Sequence, residues 1–200
     1  GAFYYIQKPF RNDELIAILR RAAEHRRLRV ENRSLRQEIQ RRTTANDRPV
    51  GSSKPWLDIL RLAETVAPTE STVLIQGESG TGKEIIARFI HELSNRVDGP
   101  FMSINCGALP ESLLESELFG HVRGSFTGAV KDKMGLFAAS AGGTFFLDEI
   151  GETTPATQVK LLRALQHREI IPVGATDAVP VDSRLVAATN RDLDEEIKAG

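Results

Sequence analysis

The stretch Gly77-Glu78-Ser79-Gly80-Thr81-Gly82-Lys83 constrains what this chain can fold into more than any other. It follows Thr72–Gln76, a short run rich in branched residues that reads as a strand. It precedes Ile86, Phe89, Ile90 and Leu93, whose spacing marks one face of a helix. In a G-x-x-x-x-G-K arrangement the glycines let the backbone bend until successive N–H groups point at one place, and the positive end of the next helix adds to that field. Residues 77–83 are therefore candidates to cradle the phosphates of a nucleotide, with the Lys83 ammonium neutralising the outer ones. Residue 84 is Glu, where the general motif carries a Ser or Thr hydroxyl for magnesium. The metal must then be held mainly by another acidic residue, by water and by the nucleotide.

Strands and helices keep alternating after this loop. Residues 101–105, 144–147 and 184–189 read as strands, and the segments around Leu114 and 158–166 as helices. That order predicts an α/β domain, a parallel sheet covered by helices. Ligands of such sheets sit at the carboxyl ends of the strands, and the apolar run Phe145-Phe146-Leu147 ends in Asp148-Glu149. Asp148 is the candidate to bind magnesium through water, and Glu149 the candidate to polarise an attacking water. Residues 169–181 read as a hairpin around Gly174. The histidines His25, His91, His121 and His167 show no metal-ligand spacing. The one cysteine, Cys106, excludes an internal disulfide and fits a reducing, cytoplasmic setting. No apolar run reaches the roughly 18 residues of a membrane span.

A formal net charge of -1 conceals an asymmetry. Residues 11–48 carry 11 basic and 6 acidic side chains, whereas residues 49–200 carry 14 basic and 21 acidic ones. The basic segment reads as a helix over 14–42, which contains no Pro or Gly. Leu28, Asn32, Leu35 and Ile39 recur at heptad spacing, and Ile18 and His25 extend the phase backward. A lone Asn at an a position suits a parallel dimer, so residues 21–48 are expected to be a helical dimerisation linker. Residues 43–55 are polar, with two prolines and a glycine, and read as the linker before the α/β domain.

One further stretch, Gly120-His-Val-Arg-Gly124-Ser125-Phe126-Thr127-Gly128-Ala129, sets an aromatic between two glycines. It suits a mobile loop tip or a buried anchor. Here the motifs combine. Gly77–Glu84, Glu115-Ser-Glu-Leu-Phe-Gly120, Gly124–Ala129, Gly142-Gly-Thr-Phe-Phe-Leu-Asp-Glu149 and Ala187-Ala-Thr-Asn190 occur in that order. Together they closely resemble the AAA+ domain of sigma-54-dependent transcriptional activators, the NtrC class of bacterial enhancer-binding proteins, over about residues 49–200.

The resemblance implies an AAA+ P-loop NTPase that hydrolyses ATP with magnesium to remodel sigma-54 RNA polymerase, and Glu84, which belongs to this family's version of the loop, joins residues 77–83 among the expected nucleotide contacts. It implies that Gly124, Ser125, Phe126, Thr127, Gly128 and Ala129 contact sigma-54, with Ser125 standing where the family pattern has Ala. It assigns Asn105 as the partner of the catalytic Glu149, and Thr189 and Asn190 as the first sensor of the outer phosphate. Val50-Gly51 would lie near the adenine. Residues 1–20 look like the end of a response-regulator receiver domain, with Lys8 matching the lysine that contacts the phosphoryl group. A sensor kinase, self-assembly from dimer to ring, and DNA contact through a C-terminal helix-turn-helix are implied likewise. The arginines that complete each ATP site in the ring are expected after Gly200, so residues 1–200 alone are expected to hydrolyse ATP weakly. Two other functions fit a phosphate loop: a P-loop kinase acting on a small molecule, and a non-enzymatic nucleotide-sensing dimerisation module.

Overall fold

A computed structural model describes residues 49–199, together with helical positions 15, 16, 18–20, 22, 23 and 26. The chain divides into two units between Arg48 and Pro49, and the fold below is that of the second. The heptad positions Leu28, Asn32, Leu35 and Ile39, and the receiver-like stretch with Lys8, lie outside the described residues.

Helix α1 (Lys54–Val66) opens with Pro55 in its first turn, where a missing N–H would be unpaired in any case. The linker expected to run to Pro55 therefore ends sooner, because that proline starts a helix instead of prolonging a loop. Strand β1 (Val73–Gln76) runs into the glycine loop and helix α2 (Lys83–Glu92). Strand β2 (Phe101–Asn105), helix α3 (Glu111–Phe119), the short strands β3 (Gly120–His121) and β4 (Lys133–Met134), and the single turn α4 (Leu136–Ala139) follow. Strand β5 (Thr144–Asp148), a 3-10 turn at Ile150–Glu152 and helix α5 (Pro155–His167) come next. Strands β6 (Glu169–Ile170) and β7 (Val179–Pro180) pair antiparallel as the expected hairpin. Strand β8 (Arg184–Thr189) and helix α6 (Leu193–Ala199) complete the described residues.

Four strands form one parallel sheet in the order β1-β8-β5-β2. Its inner strands are β8 and β5, and β5 is buried along every residue but the last. Alternation along β5 sends side chains to opposite faces. Phe145 and Leu147 pack with Leu114, Leu118 and Phe119 of α3, Phe137 of α4 and Leu161 of α5. Phe146 packs on the other face with Ala63 of α1, Ile86 and Ile90 of α2, and Val186 and Ala188 of β8. Burying Phe145 and Phe146 contributes about 2–3 kcal/mol each. The register pairs Asn105 with Asp148 and Gln76 with Thr189. All four carboxyl ends thus lie level along one edge, and the glycine loop leaves from that edge. Among the described residues no helix is long and apolar enough to cross a membrane.

Candidate nucleotide site and loop

The glycine loop owes its path to two left-handed residues, Gly80 at φ +79 and Gly82 at φ +89. Gly82 is the residue from which α2 starts, and a side chain there would be strained. The loop is tied to the sheet by the Gly77 amide, which donates to the Thr189 carbonyl at 3.1 Å. Within it, the Thr81 hydroxyl donates to the Glu78 carbonyl at 2.8 Å. Lys83 is buried, and its ammonium donates to the carbonyls of Gly77 at 3.0 Å and Glu78 at 3.1 Å. Its Nζ also lies 3.5 Å from Glu149 Oε1. Glu84, grouped with the nucleotide contacts from sequence, sends its carboxylate elsewhere, 3.2 Å from the Arg88 guanidinium one turn along α2.

Asp148 and Glu149 lie beside this loop, as a strand end aimed at a ligand crevice requires. Asp148 Oδ1 accepts from the Glu149 amide at 3.0 Å, and Oδ2 accepts from Asn105 Nδ2 at 3.3 Å. Each carboxylate oxygen keeps acceptor capacity beyond that single bond. Glu149 sits at φ 52 and ψ 48, left-handed although it is not a glycine. That conformation costs on the order of 1–2 kcal/mol and is typical of residues held for chemistry. It brings Glu149 Oε2 to 3.3 Å from the Asn190 amide. Glu149 thus touches the lysine of β1's loop on one side and the end of β8 on the other.

One expected pairing is not formed in this structure. Asn105 does not meet Glu149: its amide donates to Asp148, and its Oδ1 accepts from the Gly107 amide at 2.9 Å. The β2–β5 register places Asn105 opposite Asp148, so the nearer carboxylate takes the amide. Thr189 is fully buried, and its hydroxyl accepts from the Arg191 amide at 3.1 Å. Cys106, next to Asn105, is buried among apolar side chains, and this pushes its thiol up to about 12. It is kept protonated and inert.

Sequence reasoning passed over two features. Arg191 forks onto Glu152 at 2.9 and 2.8 Å, fixing the turn after β5 to the end of β8. The indole of Trp56 lies between Gly51 and Gly82: a Cβ on Gly51 would come within 2.5 Å of the ring, and one on Gly82 within 3.9 Å. The Trp56 Nε1 is buried without a partner. A lone tryptophan beside Gly51 was the available signal, but neither residue belongs to a spaced motif.

The Gly124–Ala129 loop lies apart from these groups. Gly124 and Gly128 take φ +83 and +107, and the Gly124 amide donates to the Ala129 carbonyl at 2.8 Å, closing the loop on itself. Phe126 and Thr127 are exposed at its tip, and Ala129 is buried at its base.

The family model described as the sigma-54 interaction domain matches residues 50–200. A Nif-specific regulatory protein of Herbaspirillum seropedicae is 52% identical over 179 residues, covering 90% of this chain and 33% of that protein. The transcriptional regulatory protein ZraR of Salmonella typhimurium is 48% identical over 200 residues, covering 100% of this chain and 44% of that protein. Among solved structures, NtrX of Brucella abortus in complex with ATP superposes with a TM-score of 0.72 at 34% identity, over 100% of this chain and 44% of that one. The chain therefore spans less than half the length of these relatives.

Proposed function

Because the chain belongs to the sigma-54 interaction domain family, AAA+ P-loop ATPases, we propose that it is the ATP-hydrolysing part of a response regulator that remodels sigma-54 RNA polymerase to activate transcription. The observation that carries this reading is the position of Glu149, whose strained backbone sets a carboxylate between the loop lysine and the Asn190 amide.

Residues 77–84 bind the phosphates through backbone N–H groups at the start of α2, and Lys83 exchanges its carbonyl partners for phosphate oxygens. Glu149 orients the attacking water and accepts its proton. Thr189 and Asn190 sense the outer phosphate through the bond between the Asn190 amide and Glu149. Asn105 holds Asp148 and, through the Asp148 bond to the Glu149 amide, positions the catalytic residue. Among the described residues no cluster of three His, Cys, Asp or Glu could cage a metal. Asp148, with acceptor capacity to spare, fits a magnesium ion held mostly by water and phosphate. That ion, when bound, supplies charge neutralisation on the phosphates.

The exposed tip Phe126–Thr127, with Gly124, Ser125, Gly128 and Ala129 shaping it, is the surface for sigma-54. Self-assembly into a ring, a sensor kinase acting on a receiver domain, DNA contact by a helix-turn-helix and a cytoplasmic location complete the proposal. In the full-length protein, ADP with aluminium fluoride should trap a complex with sigma-54. Phe126→Ala should abolish trapping and leave ATP hydrolysis within about twofold of wild type, since the loop lies apart from Glu149. Trapping that persists in that variant would remove the loop from the interface.

A further inference from the structure

The Gly124–Ala129 loop is seated between two neighbours. On one side His121 meets Phe126 edge to face, with ring centroids 5.0 Å apart at 72°. His121 is itself fixed, because its Nδ1 lies 2.8 Å from the hydroxyl of Ser116, a buried residue of α3. The ring cannot swing from Phe126 without losing that bond.

On the other side stands Gly174 of the β6–β7 hairpin. It combines φ +81 with a close approach: a Cβ there would lie 2.5 Å from Ser125 Cβ and 3.1 Å from Val122 Cγ2. Two backbone bonds run alongside, from the Val122 amide to the Val173 carbonyl at 3.1 Å and from the Val173 amide to the Gly120 carbonyl at 2.9 Å. Only a glycine at 174 lets the hairpin come this near.

The seat has a flaw. Packed against Gly174, the Ser125 hydroxyl is buried without a hydrogen-bond partner. An unsatisfied buried hydroxyl destabilises the state that buries it, both against a methyl at the same place and against the same hydroxyl in water. An alanine would fill this place without the loss.

We propose that His121 and Gly174 are positioning residues that hold the Gly124–Ala129 loop in a stowed seat, and that the Ser125 hydroxyl weakens this seat so that the loop leaves it more readily than alanine would allow. The functional meaning rests on the reading of the loop as the sigma-54 contact, but the seat can be measured without that partner.

The test is amide hydrogen exchange over residues 120–130 of the full-length protein, with β5 as the reference for intact folding. Ser125→Ala should slow exchange in the loop by about 3- to 10-fold. His121→Ala should hasten it by a similar factor, and His121→Phe, which keeps a ring edge on Phe126, should restore most of the protection. Exchange unchanged or faster in Ser125→Ala overturns the role of the hydroxyl. Exchange unchanged in His121→Ala, or as fast in His121→Phe, overturns the aromatic seat. Sigma-54 trapping without nucleotide should follow the exchange order, highest in His121→Ala and lowest in Ser125→Ala. Should exchange shift as stated while no variant, wild type included, traps sigma-54 under any nucleotide, the sigma-54 reading fails and the seat stands.

Discussion

The two ends of the parallel sheet treat their polar groups in opposite ways. At the amino ends, Arg184 is almost wholly buried and donates to the carbonyls of Val66 at 2.9 Å, Ser71 at 3.3 Å and Ala67. Beside it Arg96 joins Glu70 at 2.9 Å and Asp182 at 2.8 Å. At the carboxyl ends the side-chain contacts that join Lys83, Asn105, Asp148, Glu149 and Asn190 across the site are single and long: 3.5 Å for Lys83 with Glu149, 3.3 Å for Glu149 with the Asn190 amide, 3.3 Å for Asn105 with Asp148. Bonds near 2.9 Å sit at the optimum, whereas those beyond 3.2 Å are weak and easily exchanged. One end is bonded to stay as it is. The other joins its charged groups across the site by contacts that a ligand can replace.

The largest expected effect breaks the functional end alone. Glu149→Gln should lower ATP hydrolysis by the full-length protein about 10²- to 10⁴-fold, the usual share of a positioned general base. Nucleotide affinity and melting temperature should stay close to wild type, because the lost contacts are long ones. Brisk hydrolysis in this variant would show that the strained carboxylate does no chemistry.

Next in size is the converse. Arg184→Leu removes the donor to three carbonyls, two at the end of α1 and one in the loop before β1, and should lower stability by about 4 kcal/mol, since buried acceptors lose a charged partner. A two-state melt would drop by roughly 8–16 °C. Nucleotide affinity of the folded fraction should not change. If it fell with stability, the two ends would be coupled and the division between them would be lost.

The division also explains what could be read in advance. The glycine loop, the strand ending in Asp148-Glu149 and the α/β order were visible because each depends on neighbours in sequence: glycines at fixed offsets, an apolar run, a change of period. The bonding around them was not. Asn105 meets Asp148 because β2 pairs with β5 in one register, and 43 residues separate the partners. The Arg191–Glu152 fork, the indole against Gly51 and the Arg184 clamp likewise join residues distant in sequence that no spacing marks. Pro55 is ambiguous in sequence for a simpler reason: proline ends helices and also begins them, and only the turn it occupies decides which.

His91 sharpens the comparison with a smaller effect. It is buried at the structural end, with Nδ1 2.9 Å from the Thr144 hydroxyl. Burial first, then Arg88 and Arg184, lowers its pKa from 6.5 to about 4. The unfolded chain therefore binds a proton near pH 6.5 that the folded chain refuses until about pH 4. Stability tied to His91 is present above pH 6.5 and is lost as the pH falls toward 4, by about 2 kcal/mol at pH 5. Denaturant unfolding at pH 7.5 and pH 5 should show this loss in wild type and a smaller one in His91→Gln. Equal losses in both would assign it to other groups.

The smallest effect falls at Glu84, where sequence and structure disagree. The residue begins α2 beside the phosphate loop, yet its carboxylate is half exposed and pairs with Arg88 at 3.2 Å. Exposed i,i+4 pairs contribute only about 0.3–0.5 kcal/mol. Arg88 keeps a second support without it, because its guanidinium lies 4.7 Å above the Phe101 ring. Glu84→Gln should therefore lower stability by less than about 0.5 kcal/mol. It should leave ATP affinity within about threefold, since the substitution leaves the loop backbone untouched and the lost charge is solvated. Calorimetric titration with ATP and magnesium decides the matter. A tenfold or greater loss of affinity would mean that this carboxylate leaves Arg88 to serve the ligand, and that the exchangeable contacts of the functional end reach one turn farther into α2 than its bonds indicate.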